Sequence, residues 1–227
     1  MCGRFVLMTQ GKDLAKRFGL EVITDFEPHY NIAPTQMVAA IRVDRHTLRR
    51  RLDRLKWGLI PSWVKDPSIG NRLINARAES VAEKPAFRSA FRFRRCLVLA
   101  DGFYQWKKGK VGKQPFLLRM ANGDTFAFAG LWETWAGPEG DTIESCTLLT
   151  TDANEIMLPI HDRMPVILKP QDYDLWLDPK VRDQGLLKQL LSPYPSEEMV
   201  VQPVSPKVNK ANYDAPDCVE AIPVEEN

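Results

Sequence analysis

The sequence predicts an α+β domain with a mainly antiparallel sheet. Short apolar and β-branched runs alternate with Gly, Asn and Asp turn signals, which is typical of antiparallel strands. Helical periodicity is confined to short segments near the two ends of the chain. The 227 residues contain no Ser/Gly linker and no internal repeat, so we expect one domain over residues 1–227.

The first third of the chain predicts one helix and one clear strand. Apolar residues at helical spacing predict a helix over residues 11–19, which Gly19 can end. Residues 30–34 are turn-like and lead into an apolar strand, Met37–Val43. Residues 48–60 fit both a helix and a strand, and the pattern does not choose between them.

The remainder of the chain is rich in strand patterns. Residues 97–100 are an apolar run that predicts a buried strand ending at a turn. Residues 115–120 and 125–132 flank Asn122-Gly123, and this arrangement predicts a β-hairpin. The remaining predicted elements are a strand over 146–151 and helices over 170–177 and 185–191.

Composition is ordinary for a soluble globular protein, with 44% hydrophobic and 26% charged residues. No apolar run approaches 18 residues and no signal pattern opens the chain, so we expect a cytoplasmic protein without a membrane span. The four cysteines are far apart and there are only three histidines. We therefore expect reduced thiols, no metal and no cofactor.

Charge is unevenly distributed although the net charge is only +2. Residues 42–56 carry seven Arg or Lys against two Asp, and residues 87–96 carry four Arg and no acid. Clustered basic groups attract polyanions, although each run on its own fits a solvated face equally well. Beyond Tyr213 the chain has five acidic residues and no basic ones, and we expect residues 209–227 to be a loosely ordered acidic tail.

Position 2 is the most informative position in the chain. If Met1 is removed, Cys2 carries an α-amine and a thiol two carbons apart. The amine can condense with an aldehyde to an imine, and the thiol can then close a thiazolidine ring. Both groups titrate within about two units of neutral pH, and a nearby cation such as Arg4 favours the thiolate. The alternative is an ordinary cysteine in a frayed terminus.

Three polar clusters are further candidates for chemistry. Asn75, Arg77 and Glu79 alternate, so in an extended segment they share a face. Gln105 lies between two aromatic residues just after a predicted core strand. His161 stands before an acid and a base and could transfer protons near neutral pH. A polar loop, core aromatic residues and a structural histidine are the respective alternatives.

The motifs become specific when they are taken together. MCGRF, YNIAP, WGLIPSW, INARAES, CLVLADGFYQWK, FAFAGLWE, LTT, IHDRMPVIL and PVSPKVN follow one another in this order. This series resembles the SRAP (SOS-response-associated peptidase) family from Cys2 to about Val208. The resemblance implies a barrel-like curved sheet flanked by short helices.

The resemblance also implies a function in the DNA damage response. Family members sense abasic sites in single-stranded DNA and form a thiazolidine crosslink through the N-terminal cysteine, which shields the lesion. By motif position, Cys2 is the nucleophile, Asn75 orients the sugar and amine, and His161 assists proton transfer. Arg4 and Arg77 would hold phosphates beside the lesion. A thiol autopeptidase activity would release Met1, and lyase-like chemistry is implied as well.

Further contacts with DNA are implied for Asn31, Trp57, Trp63 and Arg163. The chain is expected to act as a monomer that associates with the nucleoid when DNA is damaged.

Gln105 departs from the family pattern, which has Glu at this position. Gln keeps hydrogen bonds but cannot exchange protons. We therefore expect normal DNA binding and a slower formation or reversal of the crosslink, unless Glu79 takes over the acid–base role.

Two other functions remain open at this point. Cys2 could act as the nucleophile of a cysteine autopeptidase that cleaves peptide bonds. The chain could instead bind modified or damaged DNA bases without a covalent bond, in which case Cys2→Ser would leave the affinity unchanged.

Overall fold

The computed structural model describes residues 2–22, 26–44, 46–109 and 112–223. The strands are β1 Phe5–Leu7, β2 His29–Ile32, β3 Met37–Val43, β4 Arg50–Trp57, β5 Asn75–Arg77, β6 Arg95–Ala100, β7 Gly102–Lys108, β8 Lys113–Met120, β9 Phe126–Ala136, β10 Thr142–Asp152, β11 Arg163–Pro165, β12 Ile167–Leu168 and β13 Met199–Pro203. The helices are α1 Gly11–Phe18, α2 Arg88–Phe93, α3 Tyr173–Leu177 and α4 Gln184–Gln189. None of these helices combines the length and apolar character needed to cross a membrane.

Five strands close into a barrel at the centre of the fold. Their order is β9–β10–β4–β3–β6, and β6 pairs with β9 to complete the ring. The β4–β10 pair is parallel and the other four pairs of the ring are antiparallel. Closure leaves no exposed edge in the ring, which removes a route to aggregation. The predicted α+β domain with a mainly antiparallel, barrel-like sheet is confirmed.

A second, fully antiparallel sheet has the order β13–β8–β7–β1–β2. The first strand of the chain, β1, lies between β7 and β2. Phe5 of β1 reaches into the barrel core, where its ring centroid lies 5.1 Å from that of Trp57 and 5.7 Å from that of Phe128. This packing fixes the residues that precede Phe5, including Cys2.

The predicted helix near the N-terminus is confirmed as α1, which buries Leu14 and Phe18. Gly19 ends it with a left-handed φ of 65°. The ambiguous residues 48–60 form β4, which Leu48 precedes at a positive φ of 57° that an α-helix does not allow.

Two local predictions are wrong. The predicted turn at residues 30–34 overlaps β2, which pairs with β1. The strands on either side of Asn122-Gly123 exist but do not pair with each other. β8 pairs with β7 and β13, whereas β9 is apolar on both faces and pairs with β6, β10 and β12. The turn therefore carries the chain from one sheet to the other.

Residues 204–223, here called the C-terminal strap, cover the second sheet. The strap contains short 3₁₀ turns at Pro206–Asn209 and Pro216–Val219, and Val204 forms a β-bridge with Ala221. Val208 and Cys218 of the strap are buried in a cluster with Tyr104. The loose order expected for residues 209–227 does not hold for residues 209–223, because apolar residues alternate with the acidic ones and anchor the segment. Residues 224–227 lie outside the described part of the chain.

Two glycines hold the loop that leads from β4 to β5. The φ of Gly58 is +131°, and a Cβ atom there would lie 2.5 Å from the carbonyl oxygen of Gly70. A Cβ atom on Gly70 would lie 2.7 Å from the carbonyl oxygen of Gly58. The two backbones therefore touch in a way that only glycine permits.

We predict that Gly58→Ala lowers the free energy of unfolding by about 3 kcal/mol or more, because both backbone strain and a steric clash arise. Gly140→Ala is the control, since Gly140 has a φ of +86° but open space around it. Its cost should be about 1–2 kcal/mol. Urea denaturation measures both values, and equal losses would contradict the close contact.

Candidate functional site

The chain start is held between two sheets by backbone and side-chain hydrogen bonds. The backbone N–H of Tyr104 in β7 donates to the carbonyl oxygen of Arg4 at 2.9 Å. Asn75 Nδ2 donates to the carbonyl oxygen of Cys2 at 2.6 Å. Cys2 is fully buried. Met1, whose removal we predict, lies outside the described residues.

Burial controls the state of the Cys2 thiol. It raises the pKa of Cys2 to about 12, although a cation stands two residues away. The Cys2 Sγ lies 3.9 Å from the carbonyl oxygen of Arg4, its hydrogen-bond acceptor. The thiolate that we expected Arg4 to favour does not form at neutral pH, because desolvation dominates. The thiol therefore keeps its proton in this structure.

Asn75 is positioned by the barrel. It opens β5, which pairs in parallel with β10 so that Asn75 lies opposite Leu148. Asn75 Oδ1 is buried, and no hydrogen-bond donor among the described residues reaches it. An amide with one satisfied and one unsatisfied end beside Cys2 can accept a hydrogen bond from an amine or a hydroxyl.

Gln105 also presents an unsatisfied polar atom. It is 2% exposed, and within the described ranges its buried Nε2 has no hydrogen-bond acceptor. An unpaired buried donor costs about 1–3 kcal/mol, so the site gains when a ligand supplies an acceptor. Gln105 lies at an open cleft of about 430 Å³. The other residues lining the cleft are Arg4, Trp106, Lys108, Lys113, His161 and Asn209.

His161 faces the same cleft as Gln105. Its Nδ1 lies 3.0 Å from the backbone N–H of Arg163, which donates to it, and 2.9 Å from Asp162 Oδ1. Nδ1 cannot accept from the N–H while donating to the carboxylate. Burial lowers the pKa of His161. We therefore assign the neutral ring, with Nδ1 as the acceptor and the proton on Nε2.

Arg4 places a cation beside the cleft. Its Nη1 donates to Asn31 Oδ1 at 2.8 Å and to the carbonyl oxygen of Val208 at 2.7 Å. Its guanidinium carbon lies 5.8 Å from the centroid of the Trp106 ring. Burial lowers the pKa of Arg4. No carboxylate pairs with Arg4 among the described residues, so its charge is available to an anion.

The structure exposes some of the residues predicted to contact DNA and buries others. Arg77 and Trp63 are exposed, and Trp63 keeps 66% of its surface accessible. The prediction for Trp57 is wrong, because its ring is buried and its indole N–H donates to the carbonyl oxygen of Ile74 at 2.9 Å. The prediction for Asn31 is wrong as well, because both ends of its buried amide are hydrogen-bonded within the protein. An alternating strand pattern does not reveal which face points inward.

Arg163 is neutralised by neighbouring carboxylates. Its guanidinium contacts both oxygens of Glu79 at 2.7 and 3.0 Å and Asp152 Oδ1 at 2.6 Å. The hydrogen bond from Arg163 lowers the pKa of Glu79. Glu79 is held by Arg163 and does not line the cleft with Gln105. The predicted DNA contact of Arg163 would require this ion pair to open.

Four residues of the cleft were not predicted as site residues: Trp106, Lys108, Lys113 and Asn209. The lysines belong to a basic run that the sequence does reveal, but only the pairing of β7 with β8 brings them next to Gln105. In the described ranges, no three His, Cys, Asp or Glu side chains are grouped so as to hold a metal ion.

Comparison with known proteins identifies the family. The family model described as "SOS response associated peptidase (SRAP)" matches residues 1–211. The chain belongs to the SRAP family. The matched SRAP region contains Cys2, Asn75, Gln105 and His161, and it ends inside the C-terminal strap.

Two curated relatives carry informative names. The chain is 42% identical over 225 residues to the abasic site processing protein YoqW of Bacillus subtilis (strain 168), covering 97% of this chain and 100% of the relative. It is 32% identical over 227 residues to the abasic site processing protein HMCES of Xenopus tropicalis, covering 87% of this chain and 67% of the relative.

Solved structures confirm the SRAP fold. A protein from Bacteroides thetaiotaomicron superposes with a TM-score of 0.85 at 24% identity, covering 97% of this chain and 100% of the other. A protein from Bordetella bronchiseptica superposes with a TM-score of 0.77 at 25% identity, covering 90% of this chain and 100% of the other.

We predict that His161 titrates below the value of about 6.5 of an unperturbed histidine, because burial disfavours its charged form. Asp162→Asn should lower the pKa further, since the Asp162 charge raises it. NMR titration of the histidine ring signals measures both shifts. Asp214→Asn is the control, because Asp214 contacts His29 and should leave His161 unchanged. A rise on Asp162→Asn would contradict the prediction.

Proposed function

We propose that this chain captures abasic sites in single-stranded DNA as a covalent thiazolidine crosslink through Cys2, after Met1 has been removed. The names of the two relatives supply the substrate class. The observation that carries the proposal is the hydrogen bond from Asn75 to the Cys2 carbonyl, which anchors Cys2 two residues before Arg4, a residue of the polar cleft.

Removal of Met1 creates the reactive amine. Water adds across the Met1–Cys2 peptide bond, releasing Met and leaving the α-amine on Cys2. Because Asn75 holds the Cys2 carbonyl, the new amine stays near Asn75. The unsatisfied Oδ1 of Asn75 can accept a hydrogen bond from that amine or from the sugar.

The crosslink forms in two steps. The neutral amine attacks the aldehyde carbon of the ring-opened abasic site, and loss of water leaves an imine. The thiol then adds to the imine carbon, and its proton passes to the nitrogen, so that aminothiol and aldehyde yield thiazolidine and one water. Because burial keeps the thiol protonated, the proton moves from sulfur to the imine nitrogen as the thiolate that is formed attacks the imine carbon.

His161 and Gln105 would have different roles, proton transfer and hydrogen bonding respectively. In its imidazolium form His161 can give a proton to the sugar oxygen as the ring opens, with Asp162 accepting from Nδ1, and the neutral ring that remains can later take a proton back. Gln105 can donate a hydrogen bond to a sugar oxygen through Nε2 but cannot exchange a proton.

The surface around the cleft suits a single strand. Arg4 and Arg77 would bind the phosphates beside the lesion, and exposed Trp63 would stack on a base. Binding is then driven by phosphate contacts and weakens with salt. We propose that the protein acts as a monomer in the cytoplasm and associates with the nucleoid when DNA is damaged.

A denaturing gel tests the proposal. Protein whose loss of Met1 is established by intact mass is incubated with single-stranded DNA that carries one abasic site, beside undamaged DNA. We expect a heat-stable shifted band only with the abasic strand, and no band with Cys2→Ala. Binding that survives Cys2→Ser without any band would indicate a non-covalent reader, and cleavage of added peptides would indicate a peptidase.

We predict that Gln105→Glu forms the crosslink about 10²–10⁴-fold faster, because it restores a proton-exchanging group at the cleft. Time courses on the same gel measure the rate, and intact mass checks that both proteins start without Met1. Gln189→Glu, an exposed position on α4, is the matched control and should leave the rate unchanged. A rate for Gln105→Glu equal to that of the unchanged protein would refute this role for position 105.

A further inference from the structure

Asn31 joins the chain start to the C-terminal strap. Its Nδ2 contacts three carbonyl oxygens of the strap, those of Val208 at 3.2 Å, Lys210 at 3.0 Å and Tyr213 at 2.7 Å. Its Oδ1 accepts the hydrogen bond from Arg4 Nη1. One buried amide therefore ties the strap to the guanidinium of Arg4.

The strap is also anchored by contacts that do not involve Arg4 or Asn31. Asp214 accepts the backbone N–H of Tyr30 at 2.5 Å, and its other oxygen lies 2.8 Å from His29 Nδ1. The Tyr104 hydroxyl of β7 lies 3.4 Å from the carbonyl oxygen of Cys218 in the strap, to which it donates. These contacts hold the strap against β2 and β7.

The partners of Arg4 differ in kind from those of Arg42 and Arg163. Arg95 also donates to backbone carbonyl oxygens, but it does not line the cleft. Arg42 pairs with Asp53 and Glu144, and Arg163 pairs with Glu79 and Asp152. Arg4 is held by an amide oxygen and a backbone carbonyl oxygen, both neutral. Neutral acceptors orient a guanidinium without cancelling its charge.

We propose that Asn31 and the strap are a positioning device for Arg4, which orients its guanidinium toward a DNA phosphate at the cleft while preserving its charge. The inference rests on the proposed function. It assigns a part in DNA binding to residues that do not themselves contact DNA. Asn31 is thus a positioning residue, which accounts for a buried polar side chain in the YNIAP motif. Without it, Arg4 would lose an acceptor, and the entropic cost of ordering its guanidinium would prevent a stable contact with the phosphate.

The test compares Arg4→Ala, Asn31→Ala and the double variant in binding undamaged single-stranded DNA across a salt series. Loss of one phosphate contact should lower the slope of log K against log salt by about 0.7 and the affinity about tenfold. We expect both single variants to show this change, and the double variant to match Arg4→Ala. A merely structural loss would not change the slope.

The controls separate positioning from stability. Asp183→Ala removes the N-cap of α4, which accepts from Gly185 and Leu186, and should lower stability without changing the slope. If Asn31→Ala does not fold, Asp214→Ala decides, because it loosens the strap without touching Arg4. It should weaken binding in the presence of Arg4 but not in the Arg4→Ala background.

Two outcomes overturn the inference. The first is a salt slope that Asn31→Ala leaves unchanged. If Asn31→Ala does not fold, the equivalent outcome is an affinity that Asp214→Ala leaves unchanged. The second is a double variant whose loss equals both single losses added together. If the unaltered protein crosslinks abasic DNA in either case, only the positioning role fails. An unaltered protein that neither binds single-stranded DNA nor crosslinks it overturns the proposed function and this inference with it.

Discussion

The insertion of β1 between β7 and β2 is the constraint on which the site depends. It buries Phe5 in the barrel core and holds the Arg4 carbonyl against the backbone of β7. A chain start is ordinarily free to fray. Here the position of Cys2 is determined by packing a few residues further on, so that a terminal residue acquires the fixed geometry of a core residue.

Burial shifts the pKa values of the candidate site residues in opposite directions. It raises the pKa of the thiol and lowers those of His161 and Arg4, and in the first two cases it favours the neutral form at neutral pH. A site of neutral groups with unsatisfied amide atoms at Asn75 and Gln105 suits a neutral electrophile such as an aldehyde. Charge is kept for the cleft wall, where the Arg4 guanidinium lies.

Local patterns in the sequence reveal most strands and the motif residues, but not the long-range contacts that give them roles. Cys2 is a candidate because of its own chemistry, whereas Asn75 and His161 become candidates through the resemblance to the SRAP motifs. Strand pairing determines that Trp57 is buried and that the chain passes from one sheet to the other at Asn122-Gly123. The local alternation of apolar and polar residues does not reveal this pairing. The strap escapes prediction because its acidic composition conceals the few apolar residues that anchor it.

The hydrogen bond from Arg4 to Val208 joins residues 204 positions apart. During synthesis Cys2 leaves the ribosome long before β10 can support Asn75, and Val208 appears last. Until then, the chain start lacks the surroundings that orient it. The surroundings of Cys2 are therefore complete only when the far end of the fold has been made.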